Sequence, residues 1–168
     1  MHFASRITIA ALAVSSLIIA CGPPPHDRAL DILGETPKGQ FNSAEWTMTK
    51  ATVKRTGADG GVGGKLDVKL FGEGVADCAT SGSGDAGYII FNMPAAVGKR
   101  SLQLSLSDLG SDDNQTITFV TPPSNNNISV DGIINVTELT ETSVTMGILA
   151  KAGKTTDVNG TFTATFCQ

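Results

Sequence analysis

Two histidines, three cysteines and sixteen acidic residues are the side chains from which this 168-residue chain could build a reactive site. Nucleophilic catalysis of the Ser-His-Asp or Cys-His kind needs an imidazole base held by a scaffold. His2 lies in an apolar N-terminal leader, and His26 follows Pro23-Pro24-Pro25 in a stretch that reads as a tether. Neither provides such a base, and histidine-rich zinc catalysis fails on the same ground. Glycoside cleavage needs two carboxylates on facing walls of a cleft. Glu45, Glu73, Asp77, Asp85, Glu138 and Glu141 are raw material for that, but they read as solvated face charges. No catalytic residue, cofactor site or metal site is expected, and the chain is not read as an enzyme.

Three motif-like stretches lose their chemistry in context. Gly82-Ser83-Gly84-Asp85-Ala86-Gly87 fits G-x-G-x-x-G, yet a strand candidate follows it, where a dinucleotide site needs a helix to receive phosphates. Gly63-Gly64-Lys65-Leu66 lacks the first glycine of a phosphate loop and the Ser/Thr after the lysine, so it reads as a hairpin turn. Asn114, Asn127, Asn135 and Asn159 head Asn-x-Ser/Thr triplets that an Asn- and Thr-rich strand composition explains. Asp108, Ser111, Asp112, Asp113 and Asn114 gather oxygen ligands of the kind calcium prefers. They lack the spacing of an EF-hand loop, and the expectation is an acidic turn without an ion.

The elements that must carry these residues are strands. Leu66-Asp67-Val68-Lys69-Leu70 and Leu102-Gln103-Leu104-Ser105-Leu106 alternate apolar and polar, as a half-buried strand does. Trp46–Lys54, Tyr88–Met93, Thr116–Thr121, Ile128–Thr137, Ser143–Ala150 and Val158–Cys167 are further candidates, separated by Gly-, Pro-, Asn- and Lys-rich breakers. About eight short strands without an amphipathic helix between them predict an all-β fold, an antiparallel β-sandwich or jelly roll. A small β-barrel is the alternative. The folded domain is expected over residues 44–168, about 125 residues around one core. Residues 21–43 are expected as a Pro- and Gly-containing tether, with Ala29-Leu30-Asp31-Ile32-Leu33 able to form a short helix or packing clip.

Charge and aromatic content narrow the function classes. The formal net charge is −4 and no basic run is present, so the chain lacks the electrostatic footprint of nucleic-acid binding. Its overall charge would also repel anionic lipid headgroups. Sugar-binding sandwiches stack aromatic platforms on the sugar, but aromatics make up 5% here. Trp46 and Tyr88, each the single residue of its type, read as core. A structural or protein-interaction module is therefore expected ahead of a glycan- or ligand-binding one, and no motif reveals an activity.

The N-terminus carries the one specific resemblance. Arg6 supplies a positive flank, Ile7 to Ala20 form an apolar run shorter than the roughly 20 residues of a membrane span, and Cys21 follows. Ile18-Ile19-Ala20-Cys21 resembles the lipobox of bacterial lipoproteins. Gly160-Thr161-Phe162-Thr163-Ala164-Thr165, running into Phe166-Cys167, is similar to the terminal strand of small β-sandwich members of that class. The resemblance implies cleavage of residues 1–20, a diacylglycerol thioether on Cys21 and attachment to a membrane of the bacterial envelope. Gly22, standing where some bacteria use Asp to retain lipoproteins at the inner membrane, favours the outer one. Lipidation would consume Cys21 and leave Cys78 and Cys167 as an even pair. In an oxidising envelope these are expected to form a disulfide. Chain entropy gives such a bridge about 4–5 kcal/mol as an upper estimate, and it would pin the terminal strand. Two cysteines with no histidine nearby do not complete a zinc site.

Overall fold

A computed structural model describes residues 26–57, 64–81, 86–106, 114–122 and 125–167. The leader, Cys21, the prolines after it and most of the Asp108–Asn114 loop lie outside the described residues. A 3-10 turn, Arg28–Asp31, precedes eleven strands. These are β1 (Lys38–Phe41), β2 (Ala44–Thr47), β3 (Lys50–Thr56), β4 (Lys65–Phe71), β5 (Tyr88–Pro94), β6 (Gly98–Ser101), β7 (Ile117–Thr121), β8 (Asn125–Ser129), β9 (Asp131–Leu139), β10 (Ser143–Lys151) and β11 (Asp157–Cys167). The all-β expectation is met. No α-helix occurs among the described residues.

The strands form one strongly curled sheet with two halves. Sheet A runs β6-β9-β10-β11-β1-β2, and sheet B runs β3-β4-β5-β7-β8. β11 joins them. Along Asp157–Thr165 it pairs antiparallel with β10, and its tail then runs parallel to β3, Phe166 beside Val53 and Cys167 beside Lys54. That two-residue parallel seam departs from a purely antiparallel expectation. The other pairings are antiparallel, and the end strands β6 and β8 do not bond each other, so no closed barrel forms.

Alternation places the core between the halves. In β4, Leu66, Val68 and Leu70 are fully buried while Asp67 and Lys69 face outward. Val53, Ile89, Phe91, Met93, Ile117 and Phe119 complete the inner surface of sheet B. Ile134, Val136, Val144, Met146, Ile148, Val158 and Phe162 oppose them from sheet A. Burying each such side chain contributes about 1.5–3 kcal/mol before chain entropy is set against it. That is why mostly short strands with polar outer faces hold together.

Several boundaries differ from the sequence expectation. Trp46–Lys54 is two strands, because the chain turns at Met48-Thr49, whose amides bond Pro37 and Phe71 carbonyls. Ile128–Thr137 likewise divides at Val130 into β8 and β9. The short, polar β1 and β6 carry too little alternation to be seen. Leu102–Leu106 alternates well but is not a strand. Only Gln103 makes an isolated bridge, to Gln115, while Leu104 and Leu106 are 48% and 77% exposed. The folded unit also begins before Ala44. β1 pairs with both β11 and β2, so it belongs to sheet A and not to a tether.

Candidate functional site

The described residues gather no group of three or more His, Cys, Asp or Glu able to hold a metal ion. Of the carboxylates considered above, Glu45 stands on the edge strand β2, Glu73 and Asp77 follow β4, and Glu138 and Glu141 sit at the β9–β10 hairpin. They do not form one cleft. Asp77 meets Lys50, whose hydrogen bond and charge hold its carboxyl below the ordinary value. Asp85 lies outside the described residues, as do Asp108, Ser111, Asp112 and Asp113. Asn114, the remaining member of that loop, binds Ser105 with both ends of its amide, at 2.6 Å to the backbone nitrogen and 3.1 Å to the carbonyl. Gly87 is followed directly by β5 and Gly64 by β4, the strand contexts expected for turns.

Trp46 is core. It is 4% exposed, lies 5.1 Å from the Phe41 ring and donates from Nε1 to the Gly87 carbonyl at 3.3 Å. Tyr88 is half-buried beside Phe71 at 5.7 Å between ring centres. Neither ring stands free as a stacking platform.

What the fold builds instead are two straps, one across each outer face. The first is the segment 26–37, which crosses sheet A from β6 to β11. It begins with Asp27, whose Oδ1 caps the 3-10 turn by accepting from Ala29 N at 3.1 Å and whose Oδ2 accepts from Lys99 of β6. The Lys99 hydrogen bond, helped by the Ala29 amide, lowers the Asp27 carboxyl below its ordinary value. Arg28 donates to Asp131 of β9 at 2.7 Å, and His26 Nε2 lies 2.9 Å from Asp31 Oδ1. These pairs are exposed and individually weak.

The strap's middle is held more specifically. The Asn159 amide of β11 donates to the Asp31 carbonyl at 3.0 Å and accepts from Leu33 N at 2.9 Å. Thr161 donates from its hydroxyl to the Leu33 carbonyl at 2.9 Å and from its backbone nitrogen to the Glu35 carbonyl at 2.7 Å. Two strand glycines make room beneath. A Cβ on Gly147 of β10 would lie 2.7 Å from Ile32 Cγ2, and one on Gly160 of β11 would lie 2.5 Å from Pro37 Cα. Gly160 also has φ +155°, a conformation side chains rarely adopt.

The second strap is the segment 72–81 over sheet B. The Cys78–Cys167 disulfide, expected above, ties it to the tail of β11 with Cα atoms 5.5 Å apart. Lys50 pairs with Asp77, Thr52 donates to the Ala79 carbonyl at 3.3 Å, and Lys69 donates to the Thr80 carbonyl at 2.7 Å. Cys78 has φ +58°, in the left-handed region unusual for a side-chain-bearing residue. An open groove of about 500 Å³ runs beside it, lined by Met48, Lys50, Asp77, Thr163, Thr165 and the disulfide.

Gly147 and Lys99 escaped the sequence reading, and Asn159, Gly160 and Thr161 entered it only as a sequon and as strand residues, not as the strap's bed and fastenings. A glycine inside a strand pattern often marks close approach by another backbone, and that was the available signal for Gly147 and Gly160. No family model matches the chain, and comparisons with curated proteins and with solved structures find no match.

Proposed function

We propose that this chain is a bacterial envelope lipoprotein, anchored through Cys21, whose β domain is a non-catalytic structural or protein-interaction module. Ile18-Ile19-Ala20-Cys21 carries the reading: an aliphatic pair, a small residue and a cysteine closing an apolar run too short to span a bilayer. The disulfide supports it, because such bridges persist in oxidising compartments and not in a reducing cytosol. Dispersal of the acidic groups fits a protein that presents surfaces in preference to a reactive cleft. The buried Trp46 gives the glycan-binding alternative no platform, so protein partners are favoured.

The test is Cys21→Ser in a bacterial host, with membrane fractionation and intact-mass measurement. The parent chain should be membrane-bound, with a mass raised by acyl groups and lacking residues 1–20. The variant should lose both the acyl mass and the attachment while its domain keeps the circular dichroism of the parent. A parent chain without acyl mass would refute the anchor.

A further inference from the structure

The first strap changes how far the domain can stand from its anchor. With folding expected only from Ala44, the chain from Cys21 to Ser43 would be a leash of roughly 70 Å at full extension. In the structure the chain is captured at Asp27 by Lys99 and at Arg28 by Asp131. Asn159 and Thr161 then fix it to β11. Between Cys21 and His26 only Gly22-Pro23-Pro24-Pro25 remain. Five Cα steps cover at most about 17 Å, however they are arranged. Anchoring at Cys21 would therefore draw the end of the domain that receives His26 and Asp27 down to the bilayer surface.

That end is the β6 edge of sheet A. The β5–β6 turn beside it, Pro94-Ala95-Ala96-Val97-Gly98, carries no charge, and Val97 is 60% exposed at its tip. Arg100 follows on β6. Its guanidinium donates to the Ala96 carbonyl at 3.2 Å, and no carboxylate pairs with it among the described residues. On the strap itself Leu30 is 77% exposed. Apolar tips with a cation behind them suit the boundary between acyl chains and headgroup phosphates. The chain's overall negative charge opposes adsorption from solution, so contact here depends on the short leash.

We infer that the β6 edge and the β5–β6 turn form a membrane-facing surface, its occupant the headgroup layer of the bilayer that holds the lipidated Cys21. The opposite edge of sheet A, β2, then points away; it lies five strands from β6, about 24 Å along the sheet. The inference rests on the anchor proposed above.

Tryptophan quenching tests both and separates them. Full-length chain, processed in its host, is reconstituted into vesicles of brominated phosphatidylcholine. Val97→Trp and Glu45→Trp are compared, with the emission of buried Trp46 in the parent protein subtracted as a common baseline. Quenching at 97 should exceed that at 45 at least three-fold. Inserting ten Gly/Ser residues after Gly22 should reduce the ratio toward one while the protein stays on the vesicles. Vesicle-bound protein with equal quenching at both positions overturns the membrane-facing surface and leaves the anchor standing. Protein that never associates with vesicles overturns the anchor and the surface together.

Discussion

Both outer faces are crossed by a chain segment, yet the two crossings are held by different means. The strap over sheet A lies in space left by Gly147 and Gly160 and is bonded by Asn159 and Thr161 to its own backbone groups. The strap over sheet B is met by Lys50, Lys69 and Thr52, among other contacts, and its anchor is covalent. Gly72, Glu73, Gly74, Val75 and Ala76 give that segment little apolar surface to bury. Without a cross-link it has little to offset the entropy of ordering it. The first strap follows the lesson that backbone complementarity holds a crossing where the sheet is sculpted to receive it. The second is a crossing fastened by a covalent cross-link.

Removing the cross-link should give the largest difference. Cys78→Ala with Cys167→Ala should lower the unfolding free energy by about 2–4 kcal/mol, the common cost of losing a native disulfide. Urea unfolding measures it, and alkylation before and after reduction should give no modified cysteine in the parent domain and two once reduced. A change below about 1 kcal/mol would put the polar contacts, not the bridge, in charge of the second strap. Gly160→Ala comes next. The added Cβ meets Pro37 and Glu35 at a positive φ, so it should cost about 2 kcal/mol and expose residues 33–36 to protease, while the Cys78–Cys167 crossing stays protected.

Asn159→Ala should do less, about 1 kcal/mol, because it removes two exposed hydrogen bonds and leaves the glycine-lined bed intact. Hydrogen exchange at the Leu33 amide should accelerate, with no change at Ala79. The smallest effect is electrostatic and shared by both straps. Asp27 and Asp77 have folded values below the ordinary aspartate value. Their contribution is therefore fully present above that value and is lost as pH falls through the depressed folded values. Lys99→Met should return the Asp27 carboxyl resonance toward ordinary titration, and Lys50→Met should do the same for Asp77 alone. Coupled movement of both carboxyls in either variant would mean the straps are not independent.

The sequence made legible what depends on side-chain periodicity. β4, β5, β10 and β11 lie where alternation puts them, because each must bury one face against the opposing half. The same rule failed at Leu102–Leu106. There the polarity alternates, but the backbone leaves the sheet after Gln103. The Cys78–Cys167 bond was legible from the cysteine count together with the lipoprotein resemblance, which leaves an even pair. The first strap was not, since its bed is made of missing side chains and its middle is held by one asparagine and one threonine. Those residues look like ordinary strand composition until the crossing segment is seen over them. Ala29–Leu33, read as a possible clip within a tether, overlaps the 3-10 turn at the strap's start.

The parallel seam at Phe166 and Cys167 has a consequence in time as well as in space. β11 is bonded to β10, β1 and β3, so the two halves of the sheet are joined through residues 157–167. Earlier strands can form hairpins as the chain is made, but the strand pairing that joins the halves waits for this segment. Such long-range closure slows folding relative to structures built from local contacts. Moving that strand to the front of the chain by circular permutation should hasten closure, read as a faster refolding rate.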